Sequence, residues 1–231
     1  MEENNQVQNA ELNGLMTLPF DCCVNMALLG GFRYWNFNES LTFTTNSPYL
    51  HLPDDVFITT DKFDVQNNFY GGQLGVVMDY KCNCFDINMK AKIALGANCG
   101  QVDIHGSLLT NEFNPVEGVG AAETYTGGFF ALPTNIGNHK KTYFSVIPEI
   151  NINFGYQIMD CLRLQVGYTF LYVSNVLWAG KQIDPNLNPT QMPAYEYVPS
   201  PALAGEATPE VLMHTDDFWT QGVNVGLVFT F

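Results

Sequence analysis

The chain is poor in charge and poorer still in cations. Of its 231 residues only 14% are Asp, Glu, Lys or Arg, and 9 basic residues against 23 acidic ones leave a formal charge of −14. So few cations exclude nucleic acid as the default partner, because phosphate contacts need clustered Lys and Arg. Disorder is excluded too. It goes with high charge and few aromatics, whereas this chain is 46% apolar and 13% aromatic. No apolar run approaches the roughly 18 residues of a membrane helix. The longest, Leu164 to Leu177, is broken by Gln165, Thr169, Ser174 and Asn175. A helical membrane protein is thereby excluded, and a membrane β-barrel is not. GxGxxG, GxxxxGK[ST], GxSxG, HExxH and HxH are all absent. Phosphate cradling, nucleophilic hydrolysis and zinc chemistry therefore have no support. The expectation is a non-enzyme without cofactor, metal site or catalytic residues.

What is present is alternation with period two, the mark of strands with one apolar face. Phe85, Ile87, Met89, Ala91, Ile93 and Leu95 share a face opposite Asp86, Asn88, Lys90 and Lys92. The pattern recurs from Phe144 to Gln157, from Leu162 to Tyr172 and from Trp219 to Phe231. Pro148 interrupts one such face and predicts a bulge, since proline cannot donate to a ladder. About seven strands are expected, near 6–17, 23–38, 65–80, 85–108, 142–158, 162–177 and 215–231. Short turns fall near 18–22, 81–84 and 159–161, long connections near 39–64, 109–141 and 178–214.

Short turns on one side, long loops on the other and strands of ten or more residues are the signature of an outer-membrane barrel. The fold class is therefore all-β: a single domain over 1–231, an antiparallel up-and-down transmembrane barrel. A hairpin pairing Tyr80 with Phe85 satisfies both faces at once, Met78 beside Ile87 on one and Gln73 beside Lys92 on the other. The competing architecture is a soluble β-sandwich serving as a binding module.

In a barrel, the polar face turns to the lumen. Arg33, Gln73, Lys90, Lys92, Glu149, Asn151, Asn153, Arg163 and Gln165 then line it, where such groups tune solute or ion passage or pair with one another and plug a narrow barrel. Lys90 or Lys92 is expected to meet Glu149. Asp54, Asp55, Asp61, Asp64, Asp184 and Asp216 are expected as outer-loop acids that give the mouth a negative potential. Tyr34, Trp35, Tyr70, Tyr80, Tyr143, Tyr156, Tyr172, Trp178 and Trp219 sit near strand ends, as an aromatic girdle would. Phe229 and Phe231 close an alternating apolar end that resembles the signal read by barrel-assembly machinery.

Cys22, Cys23, Cys82, Cys84 and Cys161 fall in or beside the short turns, and only Cys99 does not. Their spacing is too tight for the usual four-cysteine metal pattern. Free thiols and turn-to-turn disulfides both stay open, since pairing cannot be read from sequence. His51, His105, His139 and His214 read as solvated side chains. Gly71-Gly72 and Gly127-Gly128 read as bulge or turn glycines rather than ligand cradles.

Two segments carry a family resemblance: "GFRYWNFNESL" at Gly31–Leu41 and "VGYTFLYVSNVLWAGKQIDPNLNP" at Val166–Pro189. "AELN" (10–13), "FDVQNNFYGGQLG" (63–75), "KIALG" (92–96), "FSVIPEININFGYQ" (144–157) and "TDDFWTQGVNVGLVFTF" (215–231) follow the same pattern in order. Together they resemble the beta barrel porin-seven family of outer-membrane proteins, found chiefly in planctomycete bacteria. After "SNV" that family has an Arg-Pro-Gly turn, where this chain has Trp178, Ala179, Gly180 and Lys181. The resemblance implies a bacterial outer-membrane location, outer-membrane lipid and the assembly machinery as partners, small solutes or ions as cargo, and no chemistry. Family members begin with a secretion signal and further strands. An odd strand count and the opening "MEENNQVQN" thus lead to the expectation of the C-terminal portion of a larger, even-stranded barrel. Three functions follow: a passive porin or structural barrel with a polar lumen; a surface-recognition barrel that binds a partner or divalent cations through acidic loops; and the soluble binding module.

Overall fold

In the computed structural model, the described residues are 1–18, 23–47, 57–110, 123–159, 161–193 and 203–229. They form one antiparallel sheet whose long strands lie side by side in chain order: β1 (Glu2–Leu18), β2 (Val24–Asn46), β3 (Phe57–Cys82), β4 (Phe85–Thr110), β6 (Gly137–Met159), β7 (Leu162–Leu177) and β8 (Thr215–Phe229). A short strand, β5 (Glu123–Thr126), pairs with the end of β4. Two 3-10 turns, Ala179–Gln182 and Pro189–Gln191, lie between β7 and β8. Every neighbour pair is antiparallel, which is the up-and-down order that alternation and loop lengths predict. No pairing between β1 and β8 occurs among the described residues. The sheet nonetheless curls until Phe218 of β8 touches Trp35 and Phe37 of β2, with ring centroids 5.4 Å apart in both pairs.

β1, β2, β3, β4 and β6 are longer than the sequence pattern suggests, whereas β7 spans Leu162–Leu177 as expected. β3 and β4 each run 26 residues, about 85 Å of rise, where about ten residues cross a membrane. The 39–64 connection is therefore not a long loop: β2 continues to Asn46 and β3 starts at Phe57. Likewise β6 begins at Gly137, inside the expected 109–141 loop. Alternation hides these extensions because the apolar residues change faces. In the half near the short turns, the convex side carries Leu12, Phe32, Leu74, Ile93, Phe144, Phe154, Val166 and Val225, all exposed. In the half near the long connections, the concave side carries Phe37, Leu41, Phe63, Val65, Val102 and Ile104, all buried. The convex side there is Asn4, Gln6, Ser40, Asp64, Gln66 and Gln101. Each half has one apolar face, and the two faces are opposite.

Three local expectations change. The β3–β4 hairpin closes through two residues, Asn83 and Cys84, so Cys82 pairs with Phe85 and Tyr80 with Ile87. The shift is by two residues, so the faces are unaltered. Asn83 has φ 50, the left-handed region that Asn tolerates. Pro148 makes no bulge: it faces Ile93 in an unbroken β4–β6 register, and the β6–β7 ladder stops one residue later, at Glu149. The missing N–H thus falls where no ladder partner waits. Gly71 lies in continuous register with Arg33 and Gly96; a Cβ there would come within 2.5 Å of the Phe69 ring, so close packing rather than a bulge selects glycine. Register shifts occur instead in β6 between Gln157 and Met159 and in β7 between Val173 and Val176, where Asn175 adopts φ 56.

The convex apolar band predicts an asymmetric response to charge. Val166→Arg, on the convex face, is expected to cost about 2–4 kcal/mol near a bilayer midplane. Gln165→Arg, on the concave face, is expected to cost less. Urea midpoints of the two variants refolded into liposomes measure this; equal losses would contradict a lipid-facing band.

Candidate functional site

The concave face of the membrane-length half holds a closed network of four charges. Arg33 reaches Glu149 at 2.8 Å and Glu11 at 3.6 Å. Lys92 reaches Glu11 at 2.8 Å and Glu149 at 3.0 Å. Asn9 accepts from Arg33 Nε, and Gln73 and Asn13 donate to Glu11. Side-chain exposure is 1% for Arg33 and 5% for Lys92. Strand pairing explains the meeting: Glu11 lies opposite Arg33, and Lys92 opposite Glu149. Curvature brings the two rungs together across the concave side. Two cations and two anions balance, so the site carries no net charge.

The other predicted lumen residues share this face. Arg163 pairs with Asp86 near the short turns. Asn153 donates to Asn151, which donates to Thr169. Gln165 lies opposite Gly155. Lys90 is opposite Asn151 and joins no ion pair among the described residues. Of the two lysines, it is Lys92 that meets Glu149.

Directly beyond the network, toward the long connections, the interior closes with aromatic packing. Trp35, Phe37, Trp178 and Phe218 pack together with centroid separations of 5.1 to 6.1 Å. Phe69, Ala94, Ile147, Leu171, Val173 and Val176 complete that cluster. Trp35 is fully buried, so it is not a girdle residue; its even-numbered neighbour Tyr34 faces outward with Tyr70, rings 5.2 Å apart. Tyr143 also turns inward and donates to the Met213 carbonyl. A second cluster continues the plug: Leu41, Phe63, Val65, Val102, Ile104, Ala131, Leu177 and Ala179.

Polar latches hold the end of β7 and the start of the following connection inside this cup. Asn67 donates to the Leu177 carbonyl at 2.9 Å and accepts from its N–H at 2.8 Å, acting as a substitute ladder partner. Asn98 donates to Asn67 and to the Asn175 carbonyl. Glu39 accepts from the Ala179 N–H. Nothing in the sequence pattern singled out Asn67, Asn98, Glu39 or Glu11, because their partners lie up to 140 residues away.

Four of the expected outer-loop acids lie among the described residues. Asp61 lies within β3, buried, and its carboxylate accepts the N–H groups of Phe129, Phe130 and Ala131. Asp64 is also in β3 and pairs with Lys62 at 2.6 Å. Asp216 lies in β8 and pairs with Lys181 at 2.8 Å. Asp184 alone lies in a connection, and it is buried. Asp61 and Asp184 are structural acceptors, because desolvated carboxylates need donors, whereas Asp64 is half-buried and Asp216 exposed. Asp54 and Asp55 fall outside the described residues, as does Phe231. Phe229 ends β8, exposed on the convex side. Cys23, Cys82, Cys84, Cys99 and Cys161 are exposed thiols. His105 approaches Asp103 at 3.1 Å, and the His139 ring contacts the Asn135 carbonyl.

Burial opposes the charge on Asp184, but the Glu210 and Asn186 N–H groups and the Asn186 amide hold its carboxyl below the ordinary value. A depressed carboxyl stabilises above its unfolded value of 3.8 and ceases to as pH falls through the folded one. Amide-exchange protection at Asn186 and Glu210 is therefore expected to hold at pH 5 and to decline below about pH 4. An Asp184→Asn variant should lose that pH dependence; a wild type that keeps full protection at low pH would remove Asp184 from this role.

No helix among the described residues is long and apolar enough to cross a membrane, which says nothing about crossing by strands. No curated protein and no solved structure matches the chain. One family model does, over residues 1–231, the whole chain. With its curled, antiparallel all-β sheet and polar concave lining, the chain belongs to the family described as "Putative beta barrel porin-7".

Proposed function

We propose that this protein is a non-enzymatic barrel of the bacterial outer membrane, and that it acts as a closed structural barrel holding a rigid extension above the membrane rather than as a passive pore. One observation carries the reading: the charge network of Arg33, Glu11, Lys92 and Glu149 is capped by the aromatic plug of Trp35, Phe37, Trp178 and Phe218. An open channel needs water-filled lining, as in large porins. Here the charges satisfy one another, and the apolar groups above them exclude water. The convex apolar band faces lipid, and the long connections face outward, as such barrels orient them. Outer-membrane lipid and the assembly machinery are its partners.

The pore reading keeps the support of the family description, and conductance decides between the two. Full-length protein in planar bilayers is expected to give no steady channel above the bare-membrane background. Uniform wild-type channels would overturn the closed-barrel reading in favour of solute or ion passage.

A further inference from the structure

The convex wall beyond the apolar band is more than wettable. Register places Gln6, Asn38, Gln66 and Gln101 in one line across β1, β2, β3 and β4. The next line outward is Asn4, Ser40, Asp64 and Asp103. These two lines border a cleft of about 460 Å³, within the usual range of small-molecule sites. Neighbours in a line stand about 4.8 Å apart and the lines about 6.8 Å apart. The side chains of Gln6, Gln66, Gln101 and Ser40 make no hydrogen bond with the described residues, so their donors and acceptors are available.

The chemistry of the array selects its ligand. Amides and Ser hydroxyls offer donors and acceptors side by side, which matches hydroxyl groups that both give and take a proton. Phosphate recognition needs cations. The lining holds none and carries Asp64 and Asp103, which repel anions; Lys140, opposite Gln101 on β6, lies outside it. The cleft therefore suits an uncharged, polyhydroxylated group. Its height narrows the source. The outward Tyr34–Tyr70 pair, fixed by Tyr34 donating to Asn68, lies between the array and the apolar residues Phe32 and Leu74. Aromatic side chains of this kind mark the membrane–water interface. Asn38 is four residues beyond Tyr34, about 13 Å along the strand, at the depth of headgroup sugars.

We propose that this cleft binds the saccharide headgroup of an outer-leaflet glycolipid, an inference whose choice of source rests on the outer-membrane reading above. The test uses the full chain in detergent micelles, titrated with the neutral hexose portion of lipopolysaccharide core oligosaccharide, free of phosphate and acidic sugars, and followed by the Gln side-chain amide resonances. Wild type is expected to show saturable shifts, and the double variant Gln66→Ala/Gln101→Ala to bind about tenfold more weakly, as two lost hydrogen bonds imply. Neither side chain has a hydrogen-bond partner among the described residues, so folding is expected to be unaffected. Equal affinity in the variant, or displacement by inorganic phosphate alone, would overturn the cleft. Dextran binding as tightly as the core oligosaccharide would overturn the outer-leaflet source. Flotation with phosphatidylcholine vesicles with and without lipopolysaccharide reads the membrane arm separately. Protein that floats with neither refutes insertion but leaves the micelle titration to judge the cleft, and tighter retention by the lipopolysaccharide vesicles is the supporting result.

Discussion

Replacing Glu149 by alanine is expected to destabilise the barrel by about 3–5 kcal/mol, the cost of leaving buried charge uncompensated. Glu149 contacts both Arg33 and Lys92, and both cations are almost fully buried. Without it, Glu11 alone must balance two positive charges. The companion variant Lys92→Met/Glu149→Leu removes one charge of each sign and keeps volume. It is expected to recover most of the loss, because an ion pair swapped for apolar packing is often neutral. Denaturant midpoints in detergent, taken as a double-mutant cycle, give the coupling. A single variant as stable as wild type would mean that water reaches the network and screens it, and the interior would then be wetter than the packing implies.

Trp35→Ala carries the second large effect, about 3–5 kcal/mol for removing a fully buried indole. It also has a functional readout. Trp35 stacks on Phe37 and meets Phe218 at a tilt, so its loss opens the plug directly over the charge network. Step conductances absent in wild type are expected to appear. Trp35→Phe is the control: Nε1 makes no hydrogen bond among the described residues, so the benzyl ring preserves most of the packing. Conductance in the Phe variant equal to that in the Ala variant would show that the seal lies elsewhere.

Much of this was legible in the sequence because strand periodicity is local. Phe85 to Leu95 alternates so strictly that the face assignment survives a two-residue error in the hairpin register. The order of strands followed from loop lengths alone, and the polar set from Arg33 to Gln165 from parity. Tertiary structure decided the rest, for three physical reasons. Which side of an alternating strand is apolar does not tell whether lipid or protein covers it. Leu41 and Phe63 therefore read as loop, and Ile104 shared its parity with Lys90 and Lys92, until curvature packed them together. Carboxylates are hydrophilic in any sequence, so Asp61 looked like a loop acid until the backbone N–H groups of Phe129, Phe130 and Ala131 came to it from about seventy residues away. The partnership of Glu11 with Lys92 spans 81 residues and three strand pairings. Parity put Arg33, Lys92 and Glu149 on one face, but strand pairing set which rung each occupies, and only the closing curvature of the sheet brought the Glu11–Arg33 and Lys92–Glu149 rungs within hydrogen-bonding distance.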